Sequence, residues 1–439
     1  MILAHLAMIA VLGLAPEGDP AALVDRLGSP RFAEREAAAA ALERLGRRAL
    51  PSLHAALEAK DPEVKTRAED LSVKIERDLM IRPTTLTLDF QDRPLPEVVQ
   101  ALADRSGIVV ALQPDNPIFW QNRRVTLRQP EAVSFWTAVD RLCQAAGLSY
   151  SPTSSPGPGG RRLVLQAGTG NGPFGPTAES GPFRVTLLQF EHQRTLGFAG
   201  PDASPTVNVQ FSASLLVVAE PRLIISQNGP VRLIEAVDDR GQSLLPPSAP
   251  GPAIQRFSGY SGYNYGSNPS SLQLQVPLKL PDTPGRTVRV LRGGIPLAVS
   301  APRPNPLLIP LAGAAGKTFR GGDSALTVHE VKDDPVAQRT TLELTVRTEP
   351  RPGEGLPGAG EMVFGGRSSE LVQNRLEVLD ARGKPLQAIA ARNHSVGGET
   401  RLTLMLLPTL GGAPTQLRYF DLARATTEAS FQFTGVPIP

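Results

Sequence analysis

Residues 85–112 read TLTLDFQDRPLPEVVQALADRSGIVVAL, and residues 124–150 read RVTLRQPEAVSFWTAVDRLCQAAGLSY. The two stretches match each other 40 positions apart, and each places an alternating strand before a helical apolar stripe that a glycine ends. The matched residues are Leu95 with Phe135, Val99 with Val139, Leu102 with Leu142, Gly107 with Gly147, and Ile108 with Leu148. With RRLVLQAG as a final strand, the pattern predicts a small α/β domain over 84–167 in the order β-α-β-β-α-β-β.

The run LPEVVQALADRSGIVV at residues 95–110 resembles the short N-terminal domain shared by secretins and TonB-dependent receptors. In that domain a strand is followed by a helix, a step from a small residue to glycine, and a second strand. The resemblance implies recognition of a partner protein or a small ligand outside the cytoplasm, without catalysis.

Residues 20–82 predict a short all-α region whose helices begin at or near prolines. The segments SPRFAER (29–35) and DPEVKTR (61–67) align 32 positions apart, and Asp61 is a suitable N-cap before Pro62. This pattern resembles HEAT-type helical repeats. Two such hairpins cannot bury their own apolar faces, so we expect them to lean on the next domain or on a partner.

The first 15 residues predict a signal peptide, because an apolar run from Ile2 to Ala15 ends in Gly13-Leu14-Ala15. No Lys or Arg precedes the run and Pro16 follows it, which leaves a mis-assigned start or a buried helix as the alternative. Export places the protein in the periplasm or outside the cell. No later segment reaches 18 apolar residues, so no helical membrane span is expected.

The segment 168–181 predicts a linker, and the rest predicts two tandem all-β sandwich (Ig-like) domains at 182–303 and 304–439. Five collinear matches support a duplication. They pair VTLLQF (185–190) with LTVHEV (326–331), SLLVVAEP (214–221) with ELTVRTEP (343–350), RLIEAVDDRGQSLL (232–245) with NRLEVLDARGKPLQ (374–387), LQLQVPLKL (272–280) with LTLMLLPTL (402–410), and VRVLR (288–292) with LRYFD (417–421). Arg240-Gly241 and Arg382-Gly383 then occupy the same hairpin turn, where glycine supplies a positive φ.

The candidate binding residues are Tyr260, Tyr263 and Tyr265, three of the five tyrosines, in the loop RFSGYSGYNYGSNPSS. Tyrosine among Ser, Gly and Asn is typical of adaptable recognition loops, because tyrosine offers a large contact area at low entropic cost. The alternative is a flexible insertion that binds nothing.

No catalytic or metal-binding constellation is evident in the sequence. Cys143 is the only cysteine and fits the apolar face of its helix, so disulfides and cysteine-based zinc sites are excluded. The five histidines are scattered, and GAAGKT at 313–318 lacks the glycine at 311 and the helix that a phosphate loop needs. The pairs Asp238-Asp239 and Asp333-Asp334 stand at predicted turns. We expect no cofactor and no metal.

The charge of +3 over 439 residues includes no basic block with interleaved aromatics, so we expect no nucleic-acid partner. Together these features predict a multidomain, non-enzymatic, exported protein of the bacterial cell envelope. It would act in recognition or assembly, binding envelope partner proteins through its helical and α/β domains. Two alternatives stay open: a carbohydrate- or wall-polymer-binding protein that uses its β-sandwich loops, and a hydrolase with an unrecognised site.

Overall fold

The computed structural model describes the chain between residues 19 and 438, with gaps. The described ranges are 19–150, 155–157, 160–168, 175–198, 204, 206–246, 270–303, 306–321, 324–334, 339–348, 372, 375–386, 388–396, 399–406 and 412–438. The chain divides into two compact units, residues 1–80 and 81–439. It is a multidomain protein with an α/β part and a large β-rich part, as the sequence predicts at this coarse level.

The first unit is helical. Its elements are α1 (Pro20–Arg26), α2 (Phe32–Leu45), a 3-10 turn (Gly46–Ala49), α3 (Leu50–Ala56) and α4 (Pro62–Ile81), whose last residue lies in the second unit. The Asp61 carboxylate accepts the backbone N–H of Glu63 at 2.9 Å, which confirms the predicted cap. Leu27, Leu42 and Leu53 are fully buried and form the centre of the helical core. The HEAT-type repeat stays a prediction.

The second unit opens with the α/β region that the doubled sequence predicts. Its elements are β1 (Thr85–Pro94), α5 (Leu95–Ser106), β2 (Val109–Gln113), α6 (Pro117–Trp120), β3 (Arg124–Ser134), α7 (Phe135–Ala146), β4 (Leu148–Tyr150), β5 (Ser155–Gly157) and β6 (Gly160–Ala167). β1 pairs with β3, and β6 pairs with β2, β4 and β5. Gly107 and Gly147 end α5 and α7 with φ of 67° and 61°, which confirms both predicted caps.

The first β region follows, with two sheets. Its strands are β7 (Thr177–Ser180), β8 (Phe183–Gly197), β9 (Thr206–Ala219), β10 (Ile224–Gln227), β11 (Arg232–Asp238), β12 (Ser271–Leu278) and β13 (Thr287–Pro302). One sheet has the order β12-β9-β8-β7, and in the other β13 pairs with β10 and β11. β7 lies inside the segment 168–181 that the sequence predicts as a linker, because its residues pair with the start of β8.

The remaining strands form the second β region, with one exception. They are β14 (Leu307–Pro310), β15 (Lys317–Gly321), β16 (Ser324–Asp334), β17 (Arg339–Thr348), β18 (Leu376–Asp380), β19 (Pro385–Leu386), β20 (Ala388–Val396), β21 (Glu399–Leu406), β22 (Pro414–Tyr419) and β23 (Leu422–Pro437). Their sheets have the orders β14-β22-β18-β19 and β15-β16-β17-β21-β20. Strands matched in sequence therefore occupy matching places: β12-β9-β8 corresponds to β21-β17-β16, and the pair β13–β11 to β22–β18.

The exception is β23, which the sequence assigns to 304–439 but which joins a sheet of the first β region. It pairs with β13 along the whole strand, from Thr287 opposite Pro437 to Pro302 opposite Leu422. Its buried side chains Ala429, Phe431 and Phe433 alternate with exposed residues, as expected for a strand with one covered face. The C-terminal strand thus completes a sheet whose other strands precede residue 303.

The predicted turns at Arg240-Gly241 and Arg382-Gly383 share one backbone geometry. The two glycines have φ of 80° and 74°, a region that L side chains rarely adopt. The preceding aspartates, Asp238 and Asp380, each accept the backbone N–H groups two and four positions later, at distances of 2.7–3.0 Å. Both aspartates are therefore turn residues, as predicted for the pair that begins at Asp238.

We expect Asp238→Ala to destabilise the second unit. The buried Asp238 carboxylate also accepts the N–H of Gly285 at 2.8 Å, and leaving that buried donor unpaired costs about 1–3 kcal/mol. Burial raises the pKa of Asp238, but hydrogen bonds from backbone N–H groups, first that of Gln242, outweigh it and hold the pKa below its ordinary value.

The Asp238 pKa also sets the pH dependence. Because it is lowered in the folded state, the stabilisation is present above the unfolded pKa of about 3.9 and is lost as the pH falls through the folded value. Urea unfolding at pH 7 and in acid should therefore show a defect that shrinks in acid. Asp282→Ala, at an exposed carboxylate, is the control and should be neutral. Equal effects of the two substitutions would contradict this role.

Among the described residues, no helix has both the length and the apolar character needed to cross a bilayer.

Candidate recognition surface

The structure describes some of the candidate site residues that the sequence suggests, but not the three tyrosines. Tyr260, Tyr263 and Tyr265 lie outside the described residues. Cys143 is buried, and burial raises its thiol pKa to about 12, so it is a core residue rather than a nucleophile. A strand, β15, begins at Lys317, where a phosphate loop would need a helix. Within the described ranges, no group of three His, Cys, Asp or Glu side chains could hold a metal ion.

Strands β8 and β9 extend beyond their neighbours in the sheet. β7 pairs with β8 only at 183–186, and β12 pairs with β9 only at 211–218. The pairing of β8 with β9 nevertheless continues out to Gly197 and Thr206. Residues 191–198 and 206–210 therefore form a two-stranded ribbon, here termed the arm. Its outer edges pair with no other strand of the described chain.

The arm has one apolar and one polar face. Leu196 lies opposite Val207, and Arg194 opposite Val209, so these side chains share a face. Leu196, Val207 and Val209 are 49%, 50% and 53% exposed, and Phe198 at the end of the arm is 73% exposed. The opposite face carries Gln193, Thr195, Thr206, Asn208 and Gln210. Proteins rarely expose a continuous apolar face of this size to solvent, so this face indicates a contact surface.

The apolar face continues the interior face of the sheet. Phe211, on the same side of β9 as Val207 and Val209, is buried at the base of the arm. Its ring stacks on Phe190 with centroids 5.7 Å apart and meets the His192 ring edge-on at 6.4 Å. The arm therefore begins at a cluster of packed aromatic rings.

The arm is an addition relative to the second β region. Matched residues of β8 and β16 lie 141 positions apart in the sequence, and matched residues of β9 and β17 lie 129 positions apart. The hairpin of β8 and β9 is therefore 12 residues longer than that of β16 and β17. The shorter hairpin pairs with β21 from Thr340 to Arg347, and its described residues form no comparable ribbon. The extra residues are therefore not required by the fold that the two regions share.

Arg184, near the start of β8, connects the sheet that carries the arm to the α/β region. Its guanidinium makes a bidentate ion pair with Asp140 of α7 at 2.7 and 2.8 Å. It also donates to Glu179 of β7 at 2.8 Å and to the Tyr150 hydroxyl at 2.6 Å, and it lies 5.4 Å from the ring centre of Trp136. We call these five residues the joint.

The joint is charged at neutral pH. Burial lowers the pKa of Arg184, but its hydrogen bond to Asp140 and the surrounding charges outweigh that effect and raise the pKa above its ordinary value. Burial also raises the pKa of Tyr150, so its hydroxyl keeps its proton and donates to Asp140 at 3.3 Å. Burial raises the pKa of Glu179, but hydrogen bonds from Ser134 and Arg184 outweigh it and leave that pKa lowered.

Further contacts bind the α/β region to the same sheet. Leu216 and Val218 of β9 pack into the α/β core. Glu220, directly after β9, is buried and accepts the backbone N–H and the hydroxyl of Thr84 at 2.8 and 2.7 Å. The sheet that carries the arm is therefore held to the α/β region by apolar packing and by charge, at the end of β8 and β9 away from the arm.

No known protein family's sequence profile matches the chain, and no curated protein matches it. The sequence signal for the arm was the alternation in TVNVQF at 206–211, which predicts a strand with one apolar face. Alternation alone does not tell whether that face is covered, so sequence reasoning missed the arm. Chemically, an apolar face beside unpaired strand edges can bind an extended segment of another chain.

Proposed function

We propose that this protein is a non-enzymatic recognition protein of the cell envelope and that it binds a partner protein through the arm. The observation that carries the proposal is the exposed face of Leu196, Val207 and Val209 beside unpaired strand edges. A two-stranded ribbon is only marginally stable in water, and an open edge attracts further strands. Such an arm is stabilised when a partner covers it.

The partner supplies an extended segment that adds to an edge of the arm. Main-chain hydrogen bonds then give affinity, and alternate side chains of the segment cover the apolar face. The polar face of Gln193, Thr195 and Asn208 stays in water. The α/β region is fixed by the joint to the sheet from which the arm extends.

The location and the remaining regions complete the proposal. The apolar run Ile2–Ala15 and the resemblance of residues 95–110 to the secretin N-terminal domain support an envelope protein partner. The helical region acts as HEAT-like hairpins and the α/β region as a second protein-binding adaptor. The two β regions serve as tandem Ig-like sandwiches that carry the arm.

Site-specific photo-cross-linking in cells that express the full chain tests the arm. A photoreactive amino acid replaces Val209 on the apolar face or Asn208 on the polar face. We expect one defined adduct with an envelope protein from position 209 and about tenfold less of it from position 208, because only the apolar face is covered.

Matched double substitutions complete the experiment. Leu196→Thr with Val207→Thr keeps strand-forming side chains but removes the apolar contact, and should reduce the adduct about tenfold or more. Gln193→Thr with Asn208→Thr is the control and should preserve the adduct from position 209. Equal yields from both faces, or an adduct with only a second copy of this chain, would overturn the proposed partner.

A further inference from the structure

An open cleft of about 290 Å³ lies on the outer face of the sheet β15-β16-β17-β21. This face corresponds to a covered face in the first β region. Under the sequence offsets, the pairs Arg184–Val218 and Thr186–Leu216 become Ala325–Arg347 and Thr327–Thr345, and all four are observed cross-strand pairs. Both hairpins also carry a register shift at the matching place, between Leu187 and Gln189 and between Val328 and Glu330.

The two faces differ in the chemistry that they can bind. In the first region, Leu216 and Val218 pack into the α/β core, and Arg184 pairs with Asp140. In the second region the equivalent residues are Thr345, Arg347 and Ala325, so the apolar contacts are gone. A face of this composition does not suit an apolar protein core, and it favours a polar, negatively charged occupant.

Two arginines flank a small residue in the cleft. Arg320 lies opposite Ala325, which lies opposite Arg347 on the next strand. Neighbouring strands are about 4.8 Å apart, so the two arginine Cα atoms are separated by about 10 Å with only a methyl group between them. In the described part of the chain, neither guanidinium has a hydrogen bond or an ion pair. The two cations therefore face a gap that an anionic group can fill.

The neighbouring row supplies hydroxyl and imidazole groups. The Oγ1 atoms of Thr318 and Thr327 are 2.9 Å apart, and Thr327 lies opposite Thr345. His329 Nε2 lies 2.7 Å from Thr345 Oγ1. At the other end of the arginine row, Glu399 lies opposite Arg347 and can accept a ligand hydroxyl.

We infer that this cleft binds an anionic sugar unit, such as a uronic acid or a sugar sulfate. The forked guanidiniums of Arg320 and Arg347 hold the carboxylate or sulfate group, since their geometry matches planar and tetrahedral oxyanions. The threonine row and Glu399 bind the sugar hydroxyls. The volume of about 290 Å³ is near the lower end for ligand pockets and suits one sugar ring.

Titration of the full-length protein with single sugars tests the inference. We expect glucuronate or glucose 6-sulfate to bind with a dissociation constant on the order of 1 mM, and glucose to bind about tenfold more weakly or not at all. The tighter of the two acidic sugars identifies the oxyanion. Inorganic sulfate, which has no sugar ring, tests whether the sugar hydroxyls contribute to binding. Glucose binding as tightly as both acidic sugars, or sulfate binding as tightly as glucose 6-sulfate, would overturn the assignment.

Substitutions locate the site. Arg320→Gln and Arg347→Gln should each raise the dissociation constant about tenfold, and Ala325→Leu should abolish binding by filling the gap while both charges remain. Arg392→Gln, at an exposed arginine of β20 outside the cleft, is the matched control and should change the constant by less than about twofold. Unchanged melting temperatures would show that each variant is folded. Equal weakening by Arg392→Gln and Arg347→Gln would exclude this cleft.

Discussion

Replacing Phe431 by alanine is expected to lower the free energy of unfolding of the second unit by about 3–5 kcal/mol. Phe431 is 3% exposed and stacks on Phe433 with ring centroids 5.6 Å apart. It lies opposite Gly293 of β13, where a Cβ atom would come within 2.8 Å of the Phe431 ring. The ring therefore fills space that the glycine leaves, and truncating it opens a cavity beside the longest strand pair of this sheet.

The strands that Phe431→Ala destabilises distinguish this fold from a simple tandem of independent domains. Because β23 pairs with β13, hydrogen exchange should accelerate in β10, β11 and β13, whose sequences end before residue 303. Gln432→Ala changes the next residue, which is exposed on the other face, and should leave both stability and exchange nearly unchanged. Exchange that accelerates first in β16 and β17 would contradict the pairing of β23 with the first β region.

The sequence predicted the features that short-range physics determines. The helix ends at Gly107 and Gly147 follow from an apolar stripe and a glycine that adopts positive φ. The turns after Asp238 and Asp380 follow from an aspartate and a glycine at fixed spacing. Each of these requires only a few neighbouring residues, so one sequence is sufficient.

The features that the sequence missed depend on which strands meet. Alternation identifies β23 as a strand, but it does not tell that its partner is β13 rather than a strand of the second region. The same limit applies to the arm, because Val207 and Val209 look like core residues until the neighbouring strands end short of them. The arginine row of the cleft is invisible without cross-strand register, since Arg320 and Arg347 are distant in sequence.

The two β regions have sheets of matching strand order but present different surfaces. The outer face of one hairpin binds the α/β region through Leu216, Val218 and Arg184, whereas the matching face of the other carries Thr345, Arg347 and Ala325. The interior residues of both hairpins stay apolar, so the sheet itself is unaffected. Changes confined to one face of a strand pair therefore alter the surface that the sheet presents without altering its strand order.

The joint provides the second large prediction: Arg184→Met should lower the free energy of unfolding by about 3 kcal/mol at pH 7. Removing one member of a buried ion pair costs about 3–5 kcal/mol, because the remaining charge is left without a partner. Asp140 and Glu179 are each about 30% exposed, so water compensates partly and the lower end of the range applies. The methionine keeps most of the apolar contact with Trp136.

The pH dependence tests whether charge causes the loss. The pKa of Glu179 is lowered in the folded protein, so its stabilisation is present above the unfolded pKa of about 4.3 and is lost as the pH falls through the folded value. Without Arg184, the carboxylates of Asp140 and Glu179 lose the cation that they share, and acid reduces this loss by protonating Glu179. The difference between the variant and the original protein in urea unfolding should therefore be largest near pH 7 and should shrink in acid.

Arg292→Met is the matched control for Arg184→Met. Arg292 makes one ion pair, at 3.0 Å with Glu235, and the two side chains are 46% and 36% exposed. An exposed pair contributes about 0–1 kcal/mol, so this substitution should be nearly silent. If both substitutions cost the same, or if the loss for Arg184→Met does not change with pH, the α/β region is held by the packing of Leu216 and Val218 alone. In that case the ion pairs of the joint orient the α/β region on the sheet but do not contribute to the free energy of unfolding.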